Sequence, residues 1–282
     1  MTALVSTEWL AAHPAAPGLL ILDASYHVGL PGEAPRDAAA DFATGHIPGA
    51  TFMDLAGFNA PDAPLPSTMP DATHFAAQAG PLGLRADARI VLYDDAPHRT
   101  AARAWVMLRA FSFTDVALLD GGLAKWKAEE RPLEQGATLV APTTVDRPTS
   151  GIGLLDLAAM RAIQQGGATQ IVDARSAARF SGAEADPRPG VAPGHIPGSR
   201  NLPYPQLFNA DGTWKQGDAL AAAFTAAGVD LDRPLAMTCG SGITASVLAF
   251  GAHLLGRDAA VYDGSWTEWG GDPATPKATG DA

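Results

Sequence analysis

Short apolar runs, most of them closed by an aspartate, recur along the chain. The first half holds Gly18-Leu19-Leu20-Ile21-Leu22-Asp23, Arg89-Ile90-Val91-Leu92-Tyr93-Asp94 and Val116-Ala117-Leu118-Leu119-Asp120. The second holds Gln170-Ile171-Val172-Asp173, Pro234-Leu235-Ala236-Met237 and Ala260-Val261-Tyr262-Asp263. Runs of about four to eight residues that are apolar throughout, rather than alternating, predict strands buried on both faces. Between them lie Ala- and Leu-rich segments that predict helices over about 73–80, 100–111, 123–130 and 243–255. A helical turn is expected near 36–42, and the Pro- and Asp-rich stretch 56–72 reads as irregular. Strands alternating with helices predict an α/β fold in which a parallel sheet is flanked by helices.

The pattern occurs twice. Ile171-Val172-Asp173-Ala174 echoes Ile21-Leu22-Asp23-Ala24, Gly194-His195-Ile196-Pro197-Gly198 repeats Gly45-His46-Ile47-Pro48-Gly49, and Val261-Tyr262-Asp263-Gly264 echoes Leu118-Leu119-Asp120-Gly121. The offsets are 173 − 23 = 150, 195 − 46 = 149 and 263 − 120 = 143. Matches in order at nearly one spacing predict two tandem copies of one domain, 1–135 and 151–282. Residues 136–150, punctuated by Gly136, Pro142, Thr143, Thr144 and Pro148, read as the linker. The two histidines precede Pro-Gly turns in both copies, which favours a structural role in holding the turn.

Composition narrows the function classes. The chain has 282 residues, is 47% hydrophobic and carries a net charge of -11. An acidic surface excludes nucleic acid as a natural partner, because phosphate-backbone binding needs clustered Lys and Arg. No run reaches membrane-spanning length, and Met1 to Trp9 lacks a basic, apolar leader, so a cytoplasmic protein is expected. Cys239 is the one cysteine, which excludes an intrachain disulfide and an internal resolving thiol. No histidine shows ligand spacing with Cys or Asp, so no metal site is implied.

That cysteine stands in Thr238-Cys239-Gly240-Ser241-Gly242-Ile243-Thr244-Ala245, between a predicted strand and a predicted helix. Two glycines permit the tight turn that such a junction needs. Successive N–H groups at a helix N-terminus favour negative charge, so a thiolate is stabilised there and Cys239 is expected to be a nucleophile. The alternative is an inert, buried cysteine.

The differences between the copies locate the chemistry further. Aligned strands put Asp94 of the first half where the second has Cys239. A carboxylate can sit in a nest of N–H groups but cannot serve as a thiol nucleophile, so the first half is expected to be structural. The second half also holds an insertion: Phe42 to His46 spans 46 − 42 = 4 positions, and Phe180 to His195 spans 195 − 180 = 15. Arg179 and Arg188 lie at and within that insertion. Guanidinium binds carboxylate through two parallel hydrogen bonds, so an arginine pair near a thiol suits a small carboxylate substrate.

Cys-Gly-Ser-Gly-Ile-Thr is similar to the active-site loop of the rhodanese superfamily, and within it to that of the mercaptopyruvate sulfurtransferases. The duplicated Gly-His-Ile-Pro-Gly resembles a rhodanese signature, and the likeness extends over nearly the whole chain. It implies two tandem rhodanese-like domains and a cofactor-free enzyme. In this reading a small anionic sulfur donor such as mercaptopyruvate loads Cys239 as a persulfide, cradled by Gly240, Ser241, Gly242, Ile243 and Thr244. A thiol or cyanide, or a thioredoxin-like protein, then accepts the sulfur. Arg179 and Arg188 fall on the family's substrate-binding positions. An Asp and a His of the family's proton relay fall on Ala56 and Ser67, so that relay is expected to be missing. The nearest alternative is a thiosulfate sulfurtransferase, whose loop carries basic residues that Gly240-Ser241-Gly242 lacks. A cysteine phosphatase would need an arginine where Ala245 stands. A non-enzymatic persulfide carrier module is the third alternative.

Overall fold

The computed structural model describes residues 1–14, 16–29, 36–146 and 153–280; the end of the expected linker, 147–150, lies outside them. The chain divides into two compact units. Unit 1 comprises Met1–Asp62, Met69–Gly151 and Asn209–Trp214, and unit 2 comprises Ala63–Thr68, Ile152–Phe208 and Lys215–Ala282.

Unit 1 is built on β1 (Leu4–Val5), β2 (Leu19–Asp23), β3 (Ala50–Phe52), β4 (Arg89–Tyr93) and β5 (Val116–Leu119). They form one sheet in the order β1-β5-β4-β2-β3, and every pairing is parallel. Unit 2 has β6 (Leu154–Leu155), β7 (Gln170–Asp173), β8 (Arg200–Asn201), β9 (Leu235–Thr238) and β10 (Ala259–Tyr262). Its order, β6-β10-β9-β7-β8, is the same topology with the same parallel pairing. The α/β repeat expected from the apolar runs is therefore the fold. The central strands of each sheet are the runs visible in the sequence. The edge strands β1, β3, β6 and β8 are too short for any periodicity to mark them.

Parallel strands need helices on both faces, and the burial follows. Ile90, Val91, Leu92 and Tyr93 of β4 are buried throughout. The helix Ile243–Leu254 is buried from Ile243 to Ala252, as expected of a segment apolar on every side. Helix starts are fixed by short acidic side chains: Asp156 accepts from Ala159 N at 2.8 Å and Asp71 from His74 N at 2.8 Å. Within 56–72, the short helix Leu55–Phe58 replaces part of the expected irregular stretch, with Asp54 accepting from Ala56 N.

The duplicated histidines hold their turns in the same way. His46 Nδ1 lies 2.9 Å from Phe42 O and its ring stacks on Phe42; His195 Nδ1 lies 2.9 Å from Phe180 O and stacks on Phe180. Each also anchors a returning segment by backbone pairing, His46 with Glu134 and His195 with Ala278. The described part of the expected linker is tied to unit 1: Thr143 N and Oγ1 donate to Gly80 O and Leu84 O. Among the described residues no helix is long and apolar enough to cross a membrane.

Candidate active site

In a parallel sheet, the carboxyl ends of the strands share one edge, where ligands bind in open α/β folds. In unit 2 that edge presents Asp173 at the end of β7, Cys239 after β9 and Asp263 after β10. Cys239 begins the turn into the helix Ile243–Leu254, and Gly242 completes it with a left-handed φ of 80°. The thiol is buried, 1% exposed.

The helix Ser265–Gly271 shapes the turn from behind. Cys239 O accepts from Trp266 N at 2.9 Å; Gly240 O accepts from Thr267 N at 2.9 Å and from its hydroxyl at 2.6 Å. A trans peptide sets its N–H opposite its C=O, so drawing these two carbonyls backward turns the amides of Gly240 and Ser241 forward. The Ser265 hydroxyl accepts from Cys239 N at 3.2 Å and Gly242 N at 3.0 Å, donates to Tyr262 O, and lies 3.9 Å from Sγ. Gly242 N is held by Ser265, whereas the amides of Gly240, Ser241, Ile243 and Thr244 donate to no acceptor among the described residues.

Both candidate arginines reach this loop. A methyl group on Gly240 would lie 3.3 Å from Arg188 Nη1 and 3.6 Å from Arg179 Nη2. A side chain at 240 would press on Arg188 and touch Arg179, so the two guanidiniums lie directly against the loop. Asp186, whose side chain is 1% exposed, binds both: Oδ2 accepts from Arg179 Nη2 at 2.5 Å, while Oδ1 accepts from Arg188 N at 3.0 Å and lies 3.5 Å from Arg188 Nη1. Arg179 Nε is buried with no partner among the described residues.

Three further side chains escaped the sequence reading. Ser265 and Asp186 are two of them. The third, Arg175, forms a buried pair with Asp173 at 2.6 Å, donates to Gly194 O and stacks over Trp266 at 4.7 Å. It ties the end of β7 to the insertion and to the helix behind the loop. One signal for Ser265 was present: the matching residue of the first half is Gly122.

The counterpart edge of unit 1 keeps the frame without the thiol. Leu123 N donates to Asp94 O at 3.1 Å, as Trp266 N does to Cys239 O. The Asp94 carboxylate accepts from Ala96 N at 3.2 Å and Ala101 N at 2.8 Å. Burial outweighs those bonds and the nearby Arg99, raising its pKa to about 6. Of the two positions where the relay was expected to be missing, Ala56 is exposed on its short helix and Ser67 is buried with a φ of 59°. His74 faces elsewhere, its Nε2 2.8 Å from Gly57 O.

Residues 6–129 and 156–272 each match the Rhodanese-like domain. The chain is 39% identical over 274 residues to human 3-mercaptopyruvate sulfurtransferase, covering 95% of this chain and 91% of that one. It is 38% identical over 280 residues to chicken thiosulfate sulfurtransferase, covering 95% and 93%. The crystal structure of SseA from Escherichia coli, described as a 3-mercaptopyruvate sulfotransferase, superposes with a TM-score of 0.85 at 34% identity, covering 94% of this chain and 99% of that chain.

Proposed function

The chain belongs to the rhodanese family, with one rhodanese-like domain in each half, and on that footing we propose that it is a sulfurtransferase that takes sulfane sulfur from mercaptopyruvate. Relatives of similar identity bear the names of two different donors, so the choice rests on the site. The observation that carries it is the arginine pair packed over Gly240 of an uncharged loop.

In the first step the Cys239 thiolate attacks the donor sulfur. The S–S bond forms as the C–S bond breaks, and the carbon fragment leaves with the electron pair as the enolate of pyruvate, which is then protonated. Arg179 and Arg188 hold the donor carboxylate through charge-assisted hydrogen bonds. The free amides of Gly240, Ser241, Ile243 and Thr244 stabilise the charged persulfide in a site that excludes water. In the second step an acceptor thiolate or cyanide attacks the outer sulfur, the S–S bond breaks, and the Cys239 thiolate returns. Covalent catalysis divides one difficult transfer into two easier ones. With no second cysteine in the chain, the acceptor thiol comes from outside, from a small thiol or a thioredoxin-like protein. The first half, with Asp94 in the nucleophile's place, acts as a structural domain.

Steady-state cyanide assays with mercaptopyruvate and thiosulfate at matched concentrations test the reading. Mercaptopyruvate is expected to give the higher kcat/KM, and Cys239→Ser to abolish transfer from either donor. A thiosulfate kcat/KM equal to or above that for mercaptopyruvate would promote the thiosulfate sulfurtransferase reading instead.

A further inference from the structure

Asp186 is neither a nucleophile nor a group that a donor would touch first, yet its side chain is only 1% exposed. Its carboxylate binds the two guanidiniums that pack over Gly240, and the backbone of one of them. We propose that Asp186 is a positioning and specificity-determining residue, which holds the two arginines together and reduces their combined charge to that of one cation. The inference rests on the donor-site reading above and deepens it.

The charge count is the core of the argument. Arg179 and Arg188 contribute +2 and Asp186 -1, which leaves +1 on this cluster of three side chains. At the same sheet edge Arg175 and Asp173 form a buried pair that is internally neutral. A single positive charge in a poorly solvated site matches a monocarboxylate and leaves the second charge of a dianion uncompensated, and burying an unpaired charge is costly. Without Asp186 the arginines would also repel each other, because like charges at contact distance are unfavourable where water is excluded. With it, one edge of each guanidinium is engaged and the rest is left for substrate. The buried and unpartnered Arg179 Nε is a donor that a bound carboxylate oxygen would satisfy.

Asp186→Asn keeps the shape and removes the charge. The expected result is a fall of about tenfold or more in the ratio of kcat/KM for mercaptopyruvate to that for thiosulfate, the loss of roughly one charge-assisted hydrogen bond. The change should lie in KM for the donor, while cyanide discharge of the preformed persulfide keeps its rate. Asp186→Glu, which restores the charge, should recover most of the ratio. Competitive inhibition gives a readout independent of any donor: Asn at this position should weaken inhibition by pyruvate, a monoanion, and strengthen inhibition by sulfate, a dianion. Equal losses for both donors with unchanged inhibitor selectivity would show that Asp186 only props up the loop, and would overturn the proposal. Should the wild-type protein fail to use mercaptopyruvate, the donor reading falls, and the inhibitor pair still decides whether Asp186 sets the charge of the site.

Discussion

Ser265 occupies a left-handed backbone position, φ 49°, where the first half has Gly122 at φ 59°. A side chain there costs about 1–3 kcal/mol in backbone strain, and it persists because its hydroxyl holds two amides of the cysteine turn and one carbonyl of β10. Ser265→Ala would leave the buried N–H groups of Cys239 and Gly242 without an acceptor, at roughly 1–3 kcal/mol each. Sulfur transfer is expected to fall by about tenfold or more, together with a lower Tm. Ser265→Gly also removes the acceptor but relieves the strain. It should therefore melt at a higher temperature than the Ala variant while being impaired to the same degree. Wild-type transfer rates in the Ala variant would remove Ser265 from the machinery.

The strand-to-helix turn exists in both copies, with Cys239 at its start in one and Asp94 in the other. In unit 1 the Asp94 carboxylate fills the nest at the start of the helix Ala101–Ala110, accepting from Ala96 N and Ala101 N. Burial raises its pKa from 3.8 to about 6, so between these values the folded chain binds more protons than the unfolded one. The stability that Asp94 contributes is then fully present below pH 3.8 and lost as pH rises through about 6. The loss amounts to roughly 2–3 kcal/mol, taking a pKa unit as about 1.4 kcal/mol. Asp94→Asn does not ionise. The Tm difference between Asn variant and wild type should become more favourable to the variant between pH 4 and pH 7. A pH-independent difference would mean that Asp94 titrates like an exposed carboxylate.

The whole molecule carries a net charge of -11, so in the proposed reaction an anionic donor meets a repulsive global field, which the local arginine pair would have to overcome. In the proposed reaction, the positions where the relay is expected hold Ala56 and Ser67, neither of which can protonate a departing enolate. A missing general acid costs about 10²–10⁴-fold, and the loop amides offset only the charge, not the proton. Loading by mercaptopyruvate is accordingly expected to be the slow half of the cycle. Single-turnover mixing can separate persulfide formation from its discharge by cyanide; discharge slower than loading would show that protonation is provided for by another group.

Burial of apolar runs is a local, periodic property. The three central strands of each sheet, the order of the two copies and the position of Cys239 at a strand-to-helix turn were therefore legible in the residues themselves. The duplicated Gly-His-Ile-Pro-Gly was legible for the same reason, since each histidine bonds within its own copy. The edge strands β1, β3, β6 and β8 were not, because two or three residues carry no period and pair only once a neighbour is in place. The active-site shell was hidden for a different reason. Ser265 meets Cys239 across 26 residues, and Arg179 and Arg188 meet Gly240 across still more, through the register of β7, β9 and β10. Arginines at 179 and 188 could be named from spacing, but Asp186 read as one more polar residue of an insertion. Only the packed structure buries it between two guanidiniums, because the partners of a buried charge are chosen by the tertiary arrangement and leave no periodic trace in the chain.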